Sequence, residues 1–435
     1  ALGIVFSAKY YMSALFMAHD ISGYYAYMPA FFVYQDLNFQ YIDDLPEETY
    51  KYHYYVYHPE SGKRYQKYSF GLAIINTPAF LAAMLHSKIA GTEITGYNDP
   101  FPLYLALSSV LWLIVGIVFL RKVLLRYFNE NIVAISILCI CFGTNMINYY
   151  TKEAGMSHVF SFALVAILLY LLQNYYRKST NMNAVAIALT LALITAVRIP
   201  NIIILLLFPF FQLEGLSKLR DRIFFLKRKF VHTLLITLLP LSVIAIQILL
   251  WYVQTGEVFL NSYSSEGFDF SDPHIVEGLF SYKKGWYVYT PLMALATIGL
   301  FPLYKESKGN SVLILVFLCL FCFVVFSWMN WYYGGSFGMR PMIDIYAIMA
   351  IPLAAMISWM FKKNLVAKLV SGLLLVSLVY LNLFQYYQYS RIGNLHWDGM
   401  NKELYNAIFL STKFPENYEE ILEQSREASD KANRH

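Results

Sequence analysis

The sequence predicts an all-α polytopic membrane protein, on the strength of its composition, the length of its apolar blocks and the placement of its charges. Of its 435 residues, 58% are hydrophobic and only 14% are charged, and the mean hydropathy is +0.47. Most hydrophobic residues fall in repeated blocks close to the roughly 20 residues that cross a bilayer as a helix. The basic residues form short clusters between these blocks, as in cytoplasmic loops, so the net charge of +5 implies no nucleic-acid partner.

The charge clusters also predict the topology. If every apolar run spanned the membrane, the basic clusters would change sides along the chain, against the positive-inside pattern. The run at 70–90 contains Asn76, Pro78, His86 and Lys88 and suits a helix lying at the interface. Without it, all clusters fall on one side, which predicts about 11 transmembrane helices, a cytoplasmic N-terminus and an external tail. The runs lie at about 1–18, 70–90, 101–120, 131–149, 158–176, 183–197, 199–213, 231–253, 286–304, 311–329, 342–361 and 365–388.

This topology divides the chain into four parts. Residues 1–18 form a first transmembrane helix, possibly truncated because Lys9 interrupts it and no methionine precedes Ala1. Residues 19–100 form an external loop with interfacial helices at about 20–35 and 70–90 and a tyrosine-rich middle part. Residues 101–388 hold transmembrane helices 2 to 11, and residues 389–435 form an external tail.

Asp20 is the first carboxylate after the N-terminal apolar run, followed by Tyr24 and Tyr25. A carboxylate at the edge of the hydrocarbon costs several kcal/mol if it is unpaired, so it usually marks a cavity or a functional site. The alternative is that Asp20 only caps the helix that carries the tyrosines, a role worth about 1 kcal/mol.

Four later external loops and turns supply further candidates. The second external loop carries Glu153 and His158, and the next turn carries Arg198; a solvated loop and a snorkelling arginine are the alternatives. Two adjacent lysines, the second of them Lys284, oppose the positive-inside bias and suit an anionic group. The last short loop reads Trp331-Tyr332-Tyr333-Gly334-Gly335-Ser336-Phe337-Gly338-Met339-Arg340. Aromatic residues alone would form an interfacial belt, but glycines and an arginine among them favour a pocket for a phosphate and a sugar ring.

These motifs together resemble the glycosyltransferase C superfamily. The resemblance rests on the aspartate after the first helix, the Lys67-Tyr68-x-x-Gly71 segment, the acidic and histidine motif after the third helix, and the loop that ends at Arg340. It covers nearly the whole chain and is strongest for the bacterial branch of protein mannosyltransferases and aminoarabinose transferases, including members from Bacteroidetes-type bacteria. His19-Asp20 stands where relatives commonly have Asp-Glu, and His158 stands where they have aspartate, so a divalent metal is possible but no cofactor is certain.

The resemblance implies an inverting transferase that takes a sugar from a polyprenyl-phosphate donor in the bacterial inner membrane, with its active site facing the periplasm and a lipid, glycan or protein as acceptor. Asp20 is then the catalytic base, oriented by His158 or Glu153. Because a lipid phosphate leaves as a stable anion, it needs positive charge rather than a general acid. The residues expected to bind the donor phosphate are Arg340, Arg198 and Lys284, and those expected to bind substrate are Tyr24, Tyr25, Lys67, Tyr68, Trp331 and Tyr332.

Two other classes remain open on the sequence. A flippase or transporter of lipid-linked sugars also needs a polar cavity and cations for a phosphate. It would place its sites near the membrane midplane, whereas the unusual polar residues here are predicted on one face. A ligase or polymerase of lipid-linked glycans shares the donor and differs in the acceptor.

Overall fold

A computed structural model describes residues 2–13, 15–47, 55–58, 62–258, 260, 262–263 and 266–432 of the chain. It is helical throughout, with one small antiparallel sheet among the described residues, in which Val56–Tyr57 pairs with Arg64–Tyr65. The all-α class is therefore confirmed. Part of the tyrosine-rich stretch, residues 48–54, lies outside the described residues.

The chain forms two compact units. The first contains residues 1–123 and 149–265, and the second contains residues 124–148 and 266–435. Helices of the first unit are Leu2–Ala8, Asp20–Tyr25, Tyr27–Phe32, Gly71–Ala90, Phe101–Leu124, His158–Arg177, Asn181–Val197, Leu207–Phe210, Leu219–Arg228 and Phe230–Thr255. Its 3-10 helices are Tyr10–Met12, Gln40–Asp44, Ile199–Leu206 and Leu216–Lys218.

Helices of the second unit are shorter on average. They are Glu130–Phe142, Met146–Tyr149, Ile275–Phe280, Trp286–Tyr289, Pro291–Ile298, Leu300–Glu306, Lys308–Phe326, Tyr346–Phe361, Leu365–Tyr387, Lys402–Ile408 and Tyr418–Ala432. A 3-10 helix at Arg340–Ile345 leads into Tyr346–Phe361, and a π-helix at Gln388–Ile392 extends Leu365–Tyr387.

Side chains at the N-caps explain why several long helices begin where they do. Asn129 accepts the backbone N–H of Ile132, and Thr180 accepts that of Asn183. Asn364 does the same for Ala367 at the start of Leu365–Tyr387. Each cap satisfies one of the backbone donors that the first turn of a helix leaves without an intrahelical partner.

Seven helices among the described residues are long and apolar enough to cross a membrane. They are Gly71–Ala90, Phe101–Leu124, His158–Arg177, Phe230–Thr255, Lys308–Phe326, Arg340–Phe361 and Leu365–Ile392. A membrane-embedded chain is supported, but the predicted count of about 11 is not confirmed. Gly71–Ala90, which the sequence analysis places at the interface, has the length and composition of a span.

The predicted single helix over 1–18 is wrong. The first helix ends at Ala8, because Lys9 adopts a left-handed conformation with φ of 48° that an α-helix cannot continue. Only the 3-10 turn Tyr10–Met12 follows before the short helix at Asp20.

Other predicted spans are divided by residues that interrupt the α-helix. The run 199–213 becomes the 3-10 helix Ile199–Leu206 and one α-turn, with prolines at 200 and 209. The run 286–304 becomes three short helices that meet at Thr290 and Gly299. Apolar composition alone does not report these breaks, so hydropathy overcounts the long helices.

The predicted interfacial helix at 20–35 is two short helices that lie inside the first unit. Every residue from Ile21 to Ala30 is buried. Helices Asp20–Tyr25 and Tyr27–Phe32 both pack against Gly71–Ala90. This packing places Asp20 at the surface of a folded core.

Candidate functional site

Asp20 is the first residue of its helix and is half-buried. It follows His19, whose φ of 55° and ψ of −131° are strained for a residue other than glycine. Such backbone conformations cost on the order of 1–3 kcal/mol and cluster at functional sites. The N-cap position belongs to His19, which makes no side-chain capping bond.

The carboxylate of Asp20 has a defined partner. The hydroxyl of Tyr68 donates a hydrogen bond to Oδ1 of Asp20 at 2.5 Å. Tyr68 is buried, and its burial raises the pKa of the phenol well above its usual value, with the charge of Asp20 adding to the shift. The phenol therefore stays protonated at neutral pH and keeps its hydrogen bond to the carboxyl group of Asp20.

Two glycines allow the segment 66–71 to reach Asp20. A Cβ on Gly23 would lie 2.2 Å from the ring of Tyr68, so only glycine leaves space for that ring against the helix of Asp20. A Cβ on Gly71 would lie 2.1 Å from the backbone of Ala196. Segment 66–71 is thus held between helix Asp20–Tyr25 and the end of helix Asn181–Val197.

Aromatic rings and one lysine surround this pair. The ring centroid of Tyr24 lies 4.4 Å from that of Tyr68, and the ring of Tyr263 lies 6.1 Å from it. The Lys67 ammonium lies 5.2 Å from the Tyr68 centroid and 5.1 Å from that of Tyr263. Lys67 thus brings positive charge beside the residue that binds Asp20, in a cation–π contact with both rings.

Gln66 carries a buried side-chain amide with no hydrogen-bond partner for Oε1 or Nε2 in the described part of the chain. Its position is fixed, because Trp251 Nε1 donates to its backbone oxygen at 2.9 Å. Its Oε1 lies 3.1 Å from the place where a Cβ of Gly23 would be, next to the Tyr68 ring. A buried amide without partners costs roughly 1–3 kcal/mol, so this one requires an explanation.

A second hydrogen-bonded pair lies nearby in the same unit. Arg198 Nη1 and His158 Nδ1 are 3.2 Å apart, and the buried His158 ring packs edge-on against Tyr149 at 5.2 Å. Arg198 directly follows Val197, whose carbonyl accepts the hydroxyl of Ser69 at 3.3 Å. The Arg198–His158 pair therefore adjoins the segment that contacts Asp20.

The loop before His158 reaches the same region. Gly155 packs against Ile21, which follows Asp20 in its helix. Lys152 in this loop has a pKa lowered by burial, an effect that the neighbouring charge of Glu153 opposes. The structure thus gathers Asp20, Lys67, Tyr68, Glu153, His158 and Arg198 on adjoining segments of the first unit.

Tyr25 faces a different set of partners from Tyr24. Its hydroxyl donates to the carbonyl of Gly96 at 2.5 Å, and its ring packs edge-on against Phe80 and Tyr97. These contacts hold residues 96–97 against the helix of Asp20. Tyr25 therefore has a structural role, and its expected contact with substrate is not supported.

The other predicted residues belong to the second unit. Lys284 is buried, and its ammonium donates to the backbone oxygens of Ser336 and Trp397, the latter at 2.5 Å. Its assignment to a donor phosphate is therefore not supported, because a buried ammonium needs such acceptors and these two join the glycine loop to the tail. Tyr332 lies under the Lys283 ammonium, 3.6 Å from its ring centroid, and Trp331 packs near His274. Arg340 begins the 3-10 helix Arg340–Ile345.

Sequence reasoning missed Gln66 and Tyr263. Gln66 adjoins the motif at Lys67 and could have been considered on that ground. Tyr263 lies in a stretch without periodicity, and nothing in the sequence indicates that it meets Tyr68.

The candidate residues offer no evident metal site. Among the described residues, no three or more His, Cys, Asp or Glu side chains come together in a geometry suited to a metal ion. The chain matches no protein-family model, and none of the curated proteins matches it at a significant level.

Proposed function

We propose that this protein is a membrane glycosyltransferase that moves a sugar from a polyprenyl-phosphate donor to an acceptor hydroxyl or amine on the periplasmic face of the bacterial inner membrane. The observation that carries the proposal is the hydrogen bond from Tyr68 to Asp20, which lies beside Lys67 and the amide of Gln66, an amide with no partner among the described residues. A base, a cation and an unused polar group lie together in a unit with four helices of membrane length among its described residues.

In the proposed reaction, Asp20 acts as the base and the polyprenyl phosphate is the leaving group. Asp20 takes the proton of the acceptor hydroxyl or amine as that atom attacks the anomeric carbon of the donor sugar. The bond from this carbon to the phosphate oxygen breaks, and its electron pair leaves with the polyprenyl phosphate. Attack opposite the leaving group inverts the anomeric carbon.

The leaving phosphate gains negative charge, and a fixed cation offsets it. Lys67 is a cation beside the hydrogen-bond partner of Asp20, 5.2 Å from the Tyr68 ring centroid, and we assign it to the leaving phosphate. Arg198 supplies a second cation, oriented by His158. Lys67 thus takes over the role that the sequence suggested for Lys284.

The sugar itself needs polar and apolar contacts. Gln66 offers one acceptor and two donors, a set that suits a sugar hydroxyl, which both donates and accepts. Tyr24 and Tyr68 offer ring faces against which a pyranose can stack. Because Tyr68 covers Gln66, we propose that substrate displaces the Tyr68 hydroxyl from Asp20 and opens the way to the amide.

The experiment that tests this function is mass spectrometry of the lipids that copurify with the wild type and with Asp20→Asn. If Asp20 is the base, turnover falls by ~10²–10⁴-fold in the variant and the intact sugar-loaded donor accumulates on it. The wild type is expected to copurify mainly with polyprenyl phosphate, the product left after transfer of the sugar. Asp44→Asn is the matched control, because it removes an exposed carboxylate from the same loop and is expected to behave as the wild type.

Three results would contradict the proposal in different ways. If no polyprenyl lipid copurified with any of the three proteins, the proposed class of donor would be contradicted. The same lipid pattern on wild type and on folded Asp20→Asn would remove the catalytic role of Asp20. Intact donor as the single species on every protein would indicate transport of the lipid-linked sugar without chemistry.

A further inference from the structure

The helix Leu219–Arg228, termed the basic helix, lies between two apolar helices of the first unit. Its sequence is Leu-Arg-Asp-Arg-Ile-Phe-Phe-Leu-Lys-Arg, which combines four cations with five large apolar residues in ten positions. All ten residues are described, and none of them is buried. The proposed transferase site does not use this helix.

The inner face of the basic helix is attached to the first unit by Arg222. This arginine donates to the carbonyls of Pro209 and Phe211, each at 3.1 Å, and to that of Gln212 at 3.4 Å. Its guanidinium also stacks 3.7 Å from the centroid of Tyr176. Phe225 packs on the same tyrosine at 5.9 Å. Arg222 and Phe225 therefore fix which face points outward.

The outward face carries exposed apolar residues among cations. Phe224 is 67% exposed, and Ile223 is 45% exposed. Arg220, Lys227 and Arg228 are exposed as well. With 100° between successive residues, Arg220, Phe224 and Lys227 fall within about 60° of one another on one side of the helix.

The neighbouring surface shows the same apolar exposure. Phe230 is 63% exposed and Val231 is 74% exposed at the start of helix Phe230–Thr255. That helix is a candidate span, and only 22% of its most apolar window is buried inside the protein. The exposed phenylalanine of the basic helix therefore continues a surface that suits lipid contact.

We propose that the outward face of the basic helix binds the headgroups of anionic phospholipids. Phe224 and Ile223 enter the boundary between headgroups and acyl chains, and Arg220, Lys227 and Arg228 contact the lipid phosphates. An anionic leaflet complements this face in charge and in polarity, whereas water alone would leave Phe224 and Ile223 exposed. The helix is thereby a contact site for anionic lipid at one edge of the first unit.

The test uses the full chain in nanodiscs, one set of phosphatidylcholine alone and one with phosphatidylglycerol added. Amide hydrogen exchange over residues 219–228 is measured in both. Each cation near an anionic surface is worth about a fivefold change in binding, so three predict a change on the order of 100-fold in the ratio of docked to undocked helix. Exchange is expected to slow with phosphatidylglycerol, and the difference is expected to shrink at high salt.

Two variants make the result specific. Arg220→Gln, Lys227→Gln and Arg228→Gln together are expected to remove the response to phosphatidylglycerol while leaving the anchor Arg222 in place. The control combines Lys305→Gln, Lys308→Gln and Lys368→Gln, which removes three exposed cations elsewhere and is expected to retain the response. Equal exchange in the two lipids for the wild type, or an undiminished response in the first variant, would overturn the proposal. Equal exchange in the two lipids is also the result expected if the outward face binds a protein partner instead of lipid.

Discussion

Lys67 in the first unit and Lys284 in the second were both expected to contact substrate, and the structure places them in opposite environments. Lys284 is buried, and its ammonium donates to two backbone carbonyls. Lys67 is half-buried, and its ammonium lies over two tyrosine rings beside the partner of Asp20. A phosphate that recruited Lys284 would have to break two charge-assisted hydrogen bonds, whereas Lys67 already lies beside the partner of Asp20.

The amides of the two regions differ in the same way. In the second unit, Gln388 donates to the carbonyls of Ile408 and Ser411, and Asn394 donates to those of Ser411 and Lys413. These bonds hold the C-terminal tail in place. In the first unit, the amide of Gln66 has no such partner among the described residues. Gln388 and Asn394 thus use their amide donors to stabilise the tail, whereas no described residue bonds to either atom of the Gln66 amide.

The largest expected effects come from replacing each lysine by methionine. Lys67→Met is expected to lower the rate of transfer by about 10²-fold with little change in melting temperature, because it removes the cation that offsets the negative charge of the leaving phosphate. Lys284→Met is expected to lower the free energy of unfolding by about 3 kcal/mol, because two buried carbonyls lose a charged donor. Transfer of labelled donor and thermal unfolding in detergent measure the two effects. A Lys284→Met protein that is as stable as the wild type but inactive would indicate that Lys284, rather than Lys67, acts on the substrate.

Part of this contrast was accessible from the sequence. Block hydropathy predicts the helical class, and the motifs single out Asp20, Tyr68, Lys67 and Arg198, which the structure gathers in one unit. The helical class is confirmed, because composition alone carries it, and the roles of the four residues stay predictions. The environment of Lys284 was not accessible, since its acceptors lie 52 and 113 residues away along the chain.

The number of long helices was also beyond the sequence. Hydropathy is as high in the 3-10 segment Ile199–Leu206 as in a true span, and the break after Ala8 depends on the backbone of Lys9. The unusual state of Gln66 was also inaccessible, because the packing of the folded chain determines whether its buried amide finds a hydrogen-bond partner. The sequence alone does not show which distant segments of the chain pack against each other, and these contacts decide both features.

A smaller effect is expected at Gln66, with opposite signs for stability and activity. Gln66→Leu is expected to raise the free energy of unfolding by about 1–2 kcal/mol, since it removes a buried amide without partners. Transfer is expected to fall, since the sugar loses a polar contact. Gln247→Leu is the control, because Gln247 is also buried but accepts the N–H of Phe70, so its loss is not expected to stabilise. A Gln66→Leu protein that is both more stable and fully active would leave the amide without a role in substrate binding.

The smallest expected effect concerns Arg64, a cation three residues before Lys67 that resembles Lys284 in being fully engaged. Arg64 is buried, donates to Asp43, to the Tyr57 hydroxyl and to the carbonyl of Phe39, and its hydrogen bond lowers the pKa of Asp43. Because the folded protein holds this pKa below its ordinary value of 3.8, the pair stabilises the first loop above about pH 4, and that stabilisation is lost as pH falls through the lowered pKa. The difference in melting temperature between wild type and Asp43→Asn should therefore be largest near neutral pH and should shrink progressively as the pH falls below about 4. Asp44→Asn, which removes the adjacent exposed carboxylate, should show no such convergence, and a pH-independent difference for Asp43→Asn would show that Arg64 is held by its neutral partners alone.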